Sequence, residues 1–470
     1  MGMKKFISIM ISCLFAFLML GGCGSMSKTN DSIKFNDKNL LSNSYFGSGV
    51  EFDVYEAPSR IIDMDKVYNR LDKLNPSMIR CMINYEWFTE NLSEDGTSWD
   101  YNWSGDCIQN LFAILDHCEE KGIDVAIGPW RARDGWFDKT SDSRWADMTL
   151  ALFQKFEEKG YTCVKYFVPT NEPNYIDGNT QAIWEEGVKN VYAKFKENGL
   201  AEKYKILGTD VSGFSAAVNW SNSLSSDVVS KLGSYSIHTY VSNNKIDSGK
   251  YQSSIEEVVD ALKKKDSDFS NKGLVIWECG LQDGTNDDMT ESEIIDTYDY
   301  GVRMTDLTIQ AMLGGVNGIC YWELDDAAHF RSNGMNTVWG MFSSLGDTYN
   351  RTLRPWYQSS MLTLNILQKG NKVYGYGEDS FRALASVSQD GAKAGLICIN
   401  RNKNEVTKTM KIEGASSGEK LYCYFFNQDN AMLDETGFIM PNKVVDGNLD
   451  AGVSVTIPAN CVLFVTNERI

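Results

Sequence analysis

Two glutamates stand where short apolar runs end, and their surroundings make them the strongest candidates for chemistry in this chain. Glu172 lies in Asn171-Glu172-Pro173, directly after the apolar run Val164–Val168. Glu278 closes a second run, Leu274–Glu278. Because proline fixes φ and has no N–H donor, Glu172 should sit in a rigid, non-helical turn. Two carboxylates in unlike environments can divide the roles of proton donor and nucleophile.

Strand-like apolar runs and amphipathic helical stretches alternate around these glutamates. From about Tyr45 to Leu364 the predicted strands are Phe46–Phe52, Met78–Ile83, Val125–Trp130, Val164–Val168, Lys205–Val211, Tyr235–Tyr240, Leu274–Glu278 and Val316–Glu323. The predicted helices include Met64–Leu74, Cys107–Lys121, Trp145–Lys159, Thr180–Asn198, Ser254–Lys264 and Glu291–Leu313. Repeated strand–helix units predict an α/β fold, a closed (β/α)8 TIM barrel over residues 45–365.

Local signals at the helix ends support this division. Asn75-Pro76 should end the first helix, and Gly122, Gly160 and Gly199 should act as left-handed caps of the next three. An open doubly wound sheet is the structural alternative. It would need a glycine-rich phosphate turn after the first strand, whereas Gly47-Ser48-Gly49 lies inside that strand.

Beyond residue 366 the pattern changes to short strands separated by Gly, Asn and Asp turns. The strand-like runs are Val373–Tyr376, Arg382–Ser388, Gly395–Asn400, Thr407–Ile412, Lys420–Asn427, Val453–Ile457 and Cys461–Thr466. This spacing predicts an antiparallel β-sandwich domain over residues 366–470, to which residues 32–41 could add one strand. We expect this domain to be structural and to pack against the barrel.

The N-terminal residues are typical of a bacterial lipoprotein. Lys4 and Lys5 precede an apolar run, Phe6–Leu20, that is short for a membrane span. Leu20-Gly21-Gly22-Cys23 resembles a lipobox, in which the cysteine is lipidated. We therefore predict a signal peptide over residues 1–22, lipidation at Cys23 and a flexible tether over residues 23–44, which would anchor the protein outside the cytoplasm on the bacterial cell membrane. An ordinary signal peptide or anchor is the alternative.

The net charge excludes some partners. It is −18 for the full chain and becomes −20 when Lys4 and Lys5 leave with the signal peptide. Such acidity argues against nucleic acid and anionic polymers as partners.

The cysteine spacing does not suggest a metal centre. The chain has 11 cysteines but no C-x-x-C pair, so we expect no zinc site. Cys107 and Cys118 would lie roughly 16 Å apart on one helix, too far for a disulfide. The sequence leaves open one disulfide among Cys398, Cys423 and Cys461, and predicts four buried thiols in or beside barrel strands: Cys81, Cys163, Cys279 and Cys320.

Functional residues of such barrels gather at the carboxyl ends of the strands, where Glu172 ends the fourth strand and Glu278 the seventh. Asn-Glu-Pro at the fourth strand with a strand-terminal Glu at the seventh resembles the clan A retaining glycoside hydrolases, with families 39, 30 and 5 as candidates. The resemblance implies hydrolysis of β-glycosidic bonds in an oligo- or polysaccharide, with Glu172 as acid/base, Glu278 as nucleophile and no cofactor. It also covers five supporting residues: Arg80, Asn171, His238, Tyr240 and Trp322.

The expected roles follow from retaining chemistry, in which the two carboxyl groups lie about 5–5.5 Å apart, whereas inversion needs roughly 6.5–9.5 Å. Arg80 would favour the charged form of Glu278 if it points inward. Asn171 resembles the asparagine that binds the sugar 2-hydroxyl. Tyr240 would orient the nucleophile, and His238 would hold the acid/base or sugar hydroxyls.

Aromatic residues are concentrated in the loops after the strands, which suits the apolar faces of sugars. Trp322 would stack under the ring at the cleavage subsite, and Trp130 is a further candidate to bind substrate. The other loop rings are Tyr85, Trp87, Phe88, Trp136, Phe137, Tyr175, Phe214, Trp220 and Trp339. The nearby Arg131, Arg133 and Asp134 are read as solvated charges.

Other interpretations stay open for these residues. Glu172 could cap the helix near Thr180, Glu278 could be a salt-bridged strand end, and Arg80 could belong to a structural ion pair. Reserve carboxylates near strand ends are Glu86, Glu323, Asp325 and Asp326. A catalytically silent, glycan-binding surface lipoprotein is the alternative function, and a transglycosylase would use the same residues.

Overall fold

Eight parallel strands close into a barrel, which confirms the predicted (β/α)8 fold. The computed structural model describes residues 32–52, 54, 63–130, 139–176, 180–285, 292–326, 338–342, 352–378, 380–415 and 418–470. Strands β1 (Ser32–Phe35) and β2 (Leu40–Ser42) precede the barrel, and the hairpin β5 (Thr89–Leu92) and β6 (Trp99–Tyr101) follows its second strand. The barrel strands are β3 (Gly47–Glu51), β4 (Met78–Ile83), β7 (Asp124–Pro129), β8 (Val164–Phe167), β9 (Lys205–Ser212), β10 (Leu232–Val241), β11 (Leu274–Leu281) and β12 (Gly318–Tyr321).

Helices surround the barrel and connect its strands. They are α1 (Met64–Leu74), α2 (Asp106–Lys121), α3 (Ser143–Lys159), α4 (Gln181–Glu197), α5 (Phe214–Ser223), α6 (Ser226–Val229), α7 (Asn243–Asp247), α8 (Lys250–Lys265), α9 (Phe269–Lys272), α10 (Tyr298–Leu313) and α11 (Pro355–Ile366). The six predicted helices are present. The predicted start of the last one at Glu291 was too early, because the Thr297 side chain caps a helix that begins at Tyr298.

The helix ends follow the local signals of the sequence. Asn75 ends α1 with φ 52, and Gly122 and Gly160 end α2 and α3 with φ 70 and 80. The cap of α4 is Asn198, so the predicted cap, Gly199, with φ 73, lies one residue beyond the observed cap. Glycine adopts these left-handed conformations without the steric penalty of a Cβ atom.

The barrel interior is a small apolar layer of its own. It consists of residues from six strands and the end of a loop: Met78, Ala126, Tyr166, Val168, Leu207, Val275, Trp277 and Cys320. Their sequence neighbours, such as Ile79, Val125 and Ile276, belong to the larger core against the helices. Successive side chains of a strand point to opposite faces, so each strand contributes to both cores. The polar residues at the carboxyl ends of the strands lie beyond this inner layer.

The C-terminal strands form two layers in which they pair antiparallel. They are β13 (Lys372–Glu378), β14 (Phe381–Val387), β15 (Ala394–Asn400), β16 (Val406–Ile412), β17 (Lys420–Phe426), β18 (Lys443–Asp446), β19 (Val453–Ile457) and β20 (Cys461–Thr466). One sheet has the order β18-β17-β20-β15-β14-β13-β2 and the other β1-β16-β19. β1 joins the smaller layer by pairing in parallel with β16. Residues 32–42 lie in the predicted tether over residues 23–44, and they contribute two strands where one was considered over residues 32–41. Ile33 and Phe35 of β1 are buried in the sandwich core, which explains why this part is not a free linker.

The barrel and the sandwich share a buried ion pair. Arg382 of β14 donates from Nε (2.9 Å) and Nη2 (2.7 Å) to the two carboxylate oxygens of Asp306 in α10. Both side chains are almost completely buried. Phe426 of β17 packs beside Gly301, where an added Cβ would lie 2.8 Å from the phenylalanine ring. The last barrel helices are therefore covered by the sandwich.

All nine cysteines in the described part of the chain are free thiols. Eight are buried, including the four predicted beside barrel strands, and the disulfide considered among Cys398, Cys423 and Cys461 is not formed. No helix of the described ranges combines the length and the apolar character that a bilayer span requires.

Candidate active site

The structure brings Glu172 and Glu278 together at one end of the barrel. Glu172 follows β8, and Glu278 lies in β11. One carboxylate oxygen of each, together with a ring nitrogen of His238, lie within 4.8 Å of one another. The side chain of Glu278 is 5 % exposed and that of Glu172 is 24 % exposed. The two acids are thus close but differ in their access to solvent.

Both acids occupy unusual backbone positions. Glu172 has φ 39, a left-handed conformation that is uncommon for a residue with a side chain. Such strain costs about 1–3 kcal/mol and is concentrated at functional sites. At Glu278 the pairing between β10 and β11 shifts by one residue, which places His238 opposite Glu278. Local irregularities of the backbone therefore aim both carboxylates at the same space.

Glu278 is held by two side-chain donors. Arg80 Nη1 forms an ion pair with its Oε1, and the Tyr240 hydroxyl donates to its Oε2 at 2.9 Å. Arg80 is fully buried, and its Nη2 also donates to Asn171 Oδ1 at 2.8 Å. The structure thus assembles three of the predicted residues, Arg80, Asn171 and Tyr240, beside one carboxylate. These donors hold its oxygens in one orientation, as a nucleophile requires.

His238 bridges the two acids. Its Nδ1 lies 3.0 Å from Glu172 Oε1 and 3.3 Å from Glu278 Oε2. Its Nε2 lies 3.1 Å from Oδ1 of a third carboxylate, Asp210. Burial disfavours the imidazolium, but the negative charges of Asp210 and Glu278 outweigh it and raise the pKa of His238 to about 10. The ring is therefore a cation at neutral pH.

This cation determines the state of Glu172. Burial by itself would raise the pKa of Glu172, but the hydrogen bond and the charge of His238 lower it below its usual value. Glu172 is thus a carboxylate at neutral pH. A general acid must carry a proton when the leaving group departs, and in this arrangement the nearest proton is on His238 Nδ1.

Asp210 is the main residue of the site that our sequence analysis missed. It lies in β9 with φ 60 and is completely buried. Leu207 faces the barrel interior, and the side chains of a regular strand alternate between its two faces. In a regular strand Asp210 would therefore point away from the interior. The one available signal was a carboxylate inside an otherwise apolar strand, since buried charges need partners.

The turn after β8 is fixed by its neighbours. Asn174 donates from Nδ2 to the Ser212 carbonyl (3.1 Å) and accepts from the Ser212 N–H (3.0 Å). The Tyr175 N–H donates to the Glu172 carbonyl at 2.9 Å. Tyr175 is 67 % exposed. An aromatic surface is therefore presented to solvent three residues from Glu172.

The predicted tryptophans meet at the site. The rings of Trp130 and Trp322 lie edge to face, with centroids 6.0 Å apart. Trp339 packs edge to face on Tyr240 at 5.7 Å. Other loop rings instead belong to core packing: Tyr85 and Phe88 are buried, Phe214 packs on Tyr251, and Trp220 packs on Trp184.

The reserve carboxylates differ from the central pair. Asp326 forms a two-pronged ion pair with Arg354, at 2.6 and 2.9 Å, and Glu86 is exposed. Glu323 and Asp325 are buried. Six other predicted candidates lie outside the described residues: Cys23, Arg131, Arg133, Asp134, Trp136 and Phe137.

The atoms of Glu172, His238 and Glu278 are close enough to surround a cation. Two features oppose this use of the site. A protonated His238 has no lone pair to donate, and Arg80 already supplies a positive charge to Glu278. The donor set therefore fits a shared proton better than a metal ion.

No family model and no curated protein matches the chain by sequence. Solved structures do match its fold. A GH30 endoxylanase from Clostridium papyrosolvens C71 aligns with a TM-score of 0.62 and 13 % identity, over 93 % of this chain and 100 % of the other. A monomeric β-xylosidase from Caulobacter crescentus CB15 gives 0.62 and 14 %, over 94 % and 100 %. An α-L-arabinofuranosidase from Thermotoga maritima gives 0.60 and 13 %, over 94 % and 100 %. The chain therefore has the barrel-and-sandwich fold of GH30 xylanases and related clan A glycoside hydrolases.

Proposed function

We propose that the protein is a retaining glycoside hydrolase that cleaves β-glycosidic bonds of an oligo- or polysaccharide by double displacement. The observation that carries this proposal is the approach of Glu172 and Glu278 to within 4.8 Å, measured between carboxylate oxygens. This close approach supports direct attack by one carboxylate, for which the two carboxyl groups lie about 5–5.5 Å apart, over inversion, which needs roughly 6.5–9.5 Å.

In the first step Glu278 attacks the anomeric carbon while Glu172 gives a proton to the departing oxygen. In the second step Glu172 takes a proton from water, and that water releases the sugar from Glu278. Arg80 and Tyr240 keep the nucleophile oriented in both steps. Asn171 lies beside Arg80, where its amide is available to a sugar hydroxyl.

The nucleophile assignment is tested with Glu278→Ala. Turnover should fall by several orders of magnitude, and azide should restore cleavage of an activated aryl β-glycoside with an α-glycosyl azide as product. Glu86→Ala, which alters an exposed carboxylate, is the matched control and should keep full activity. Retained turnover in Glu278→Ala, or labelling of another carboxylate by a 2-deoxy-2-fluoro glycoside, would contradict the assignment.

The substrate is best sought with a panel that the structural neighbours suggest. Xylan, β-xylosides, glucosides and arabinofuranosides are the substrates after which those enzymes are named. Binding of a glycan without hydrolysis of any substrate would favour a silent surface receptor instead.

We also propose that the enzyme acts at the cell surface, anchored through a lipid on Cys23. The support is the lipobox-like Leu20-Gly21-Gly22-Cys23 after a short apolar run. Cys23→Ser should abolish incorporation of radiolabelled palmitate. Equal labelling of the variant would argue against this anchor.

A further inference from the structure

The third carboxylate of the site, Asp210, pairs with both cations that contact the two glutamates. Its Oδ2 lies 2.9 Å from Arg80 Nη2, and its Oδ1 lies 3.1 Å from His238 Nε2. All three side chains are completely buried. Removing one member of such a buried set leaves a charge without compensation, so the three should act as a unit.

The backbone places Asp210 there through a bulge. In the pairing of β10 with β9, Ser236 is opposite Thr209 and Ile237 is opposite Val211. Asp210 is therefore the extra residue, and its φ of 60 turns its side chain inward. Bulges that re-aim a side chain are typical of the surroundings of active sites. A carboxylate serving only to fill the barrel would not need this distortion.

The charges around His238 come from each neighbouring strand. Asp210 faces it from β9, Glu278 from β11 and Glu172 from the turn after β8. Tyr240, which lies in the same strand as His238, and Arg80 of β4 both contact Glu278 and so influence His238 indirectly. Asp210 is the one of the three carboxylates that touches Nε2, on the side of the ring opposite the reacting acids. It can thus balance the ring charge without taking part in bond cleavage.

We propose that Asp210 is a positioning residue that keeps His238 protonated, so that the His238–Glu172 pair holds the proton for the leaving group. This inference rests on the hydrolase function proposed above. When a sugar displaces water, the proton moves from His238 Nδ1 to Glu172 Oε1 and then to the glycosidic oxygen as its bond to carbon breaks. In the second step Glu172 removes a proton from the attacking water, and that proton returns to His238.

The first test measures the protonation state of His238 directly. The chain contains only three histidines, so protein labelled with ¹⁵N-histidine gives few ring signals, and His238→Gln assigns one of them. We expect His238 in the wild-type protein to remain an imidazolium from about pH 6 to about pH 9, well beyond an ordinary histidine. A neutral ring at pH 7 would overturn the proposal. This measurement needs no substrate, so it is independent of whether hydrolysis is found.

The second test is Asp210→Asn, which keeps the shape and removes the charge. Loss of a neighbouring negative charge should let His238 release its proton at lower pH. The basic limb of the kcat/KM profile should then move to lower pH by about 1–3 units.

Asp306→Asn is the matched control, because Asp306 is also a buried partner of an arginine but lies in α10. It should lower stability without moving the pH profile. An unmoved basic limb in folded Asp210→Asn would overturn the proposal. Absence of activity in the wild-type protein on every substrate would instead count against the hydrolase function.

Discussion

At the scale of single residues, the site is a chain of alternating charges that ends at Glu172. Asp210 contacts His238, His238 contacts Glu172, and Arg80 connects Asp210 with Glu278. In such a coupled set a proton belongs to a pair of groups rather than to one of them. The lowered pKa of Glu172 is therefore compatible with an acid role, since the adjacent His238 can return the proton.

Glu172→Gln should separate substrates by their leaving groups. Glutamine cannot donate the proton, so cleavage of unactivated oligosaccharides should fall by about 10²–10⁴-fold. Activated aryl glycosides, whose leaving groups need no proton, should lose far less in the glycosylation step. Steady-state and burst kinetics on both substrate classes would measure the difference, and equal losses would argue against the acid role.

Tyr240→Phe removes the hydroxyl that donates to Glu278 at 2.9 Å. A hydrogen bond to a charged group contributes about 1.5–3 kcal/mol, so kcat/KM should fall roughly 10- to 150-fold if the bond is retained in the transition state. The ring remains to pack on Trp339, and thermal unfolding should change little. Unaltered kinetics would show that Tyr240 does not orient the nucleophile.

At the scale of elements, two β-bulges and one turn held by hydrogen bonds position the residues of the site. The bulges in β9 and β11 bring Asp210 and Glu278 to face His238, and Asn174 ties the turn after β8 to the end of β9. A β-strand without these shifts would present different side chains inward, because a one-residue slip reverses the facing of every following residue.

The same turn presents Tyr175 on the side of the acid/base, where the leaving group of a substrate would lie. Tyr175→Ala should reduce kcat/KM for long oligosaccharides on the order of tenfold, because ring stacking is lost. Hydrolysis of a small aryl glycoside should be unchanged. Tyr175→Phe keeps the ring and is the matched control; a loss for that variant as large as for alanine would exclude stacking.

At the scale of the whole molecule, the sandwich stabilises the barrel from the side of its last helices. The Arg382–Asp306 pair joins β14 to α10 in a buried position. The sandwich also uses N-terminal strands β1 and β2, so its stability depends on both ends of the described chain.

Arg382→Met should therefore destabilise the fold by about 3–5 kcal/mol, since it leaves the buried Asp306 with only the more distant Arg401, at 3.7 Å, as a cationic partner. Denaturant unfolding would measure the change, while kcat of the folded fraction should stay constant. Lys34→Met, which breaks a surface pair with Glu413, should have little effect because solvent screens exposed charges. A similar loss in both variants would contradict this role of the buried pair.

The sequence by itself determined the barrel, the sandwich and the position of the two glutamates toward the carboxyl ends of the fourth and seventh barrel strands. Hydrophobic periodicity and helix caps are local sequence signals. They predict the folded elements because burial of the same apolar faces drives the formation of the elements and their packing. The inclusion of residues 32–42 in the sandwich was open in the sequence, because their few apolar residues need a partner sheet to become strands.

Only the tertiary structure decided the role of Asp210 and the protonation of His238. A bulge depends on the register between two strands, and register is a property of the pair rather than of either segment. The charge of a buried histidine likewise depends on carboxylates from three different strands or turns. Neither the strand register nor the charge of His238 can be read from a local sequence pattern. Both depend on distances between strands that exist only when the barrel is closed.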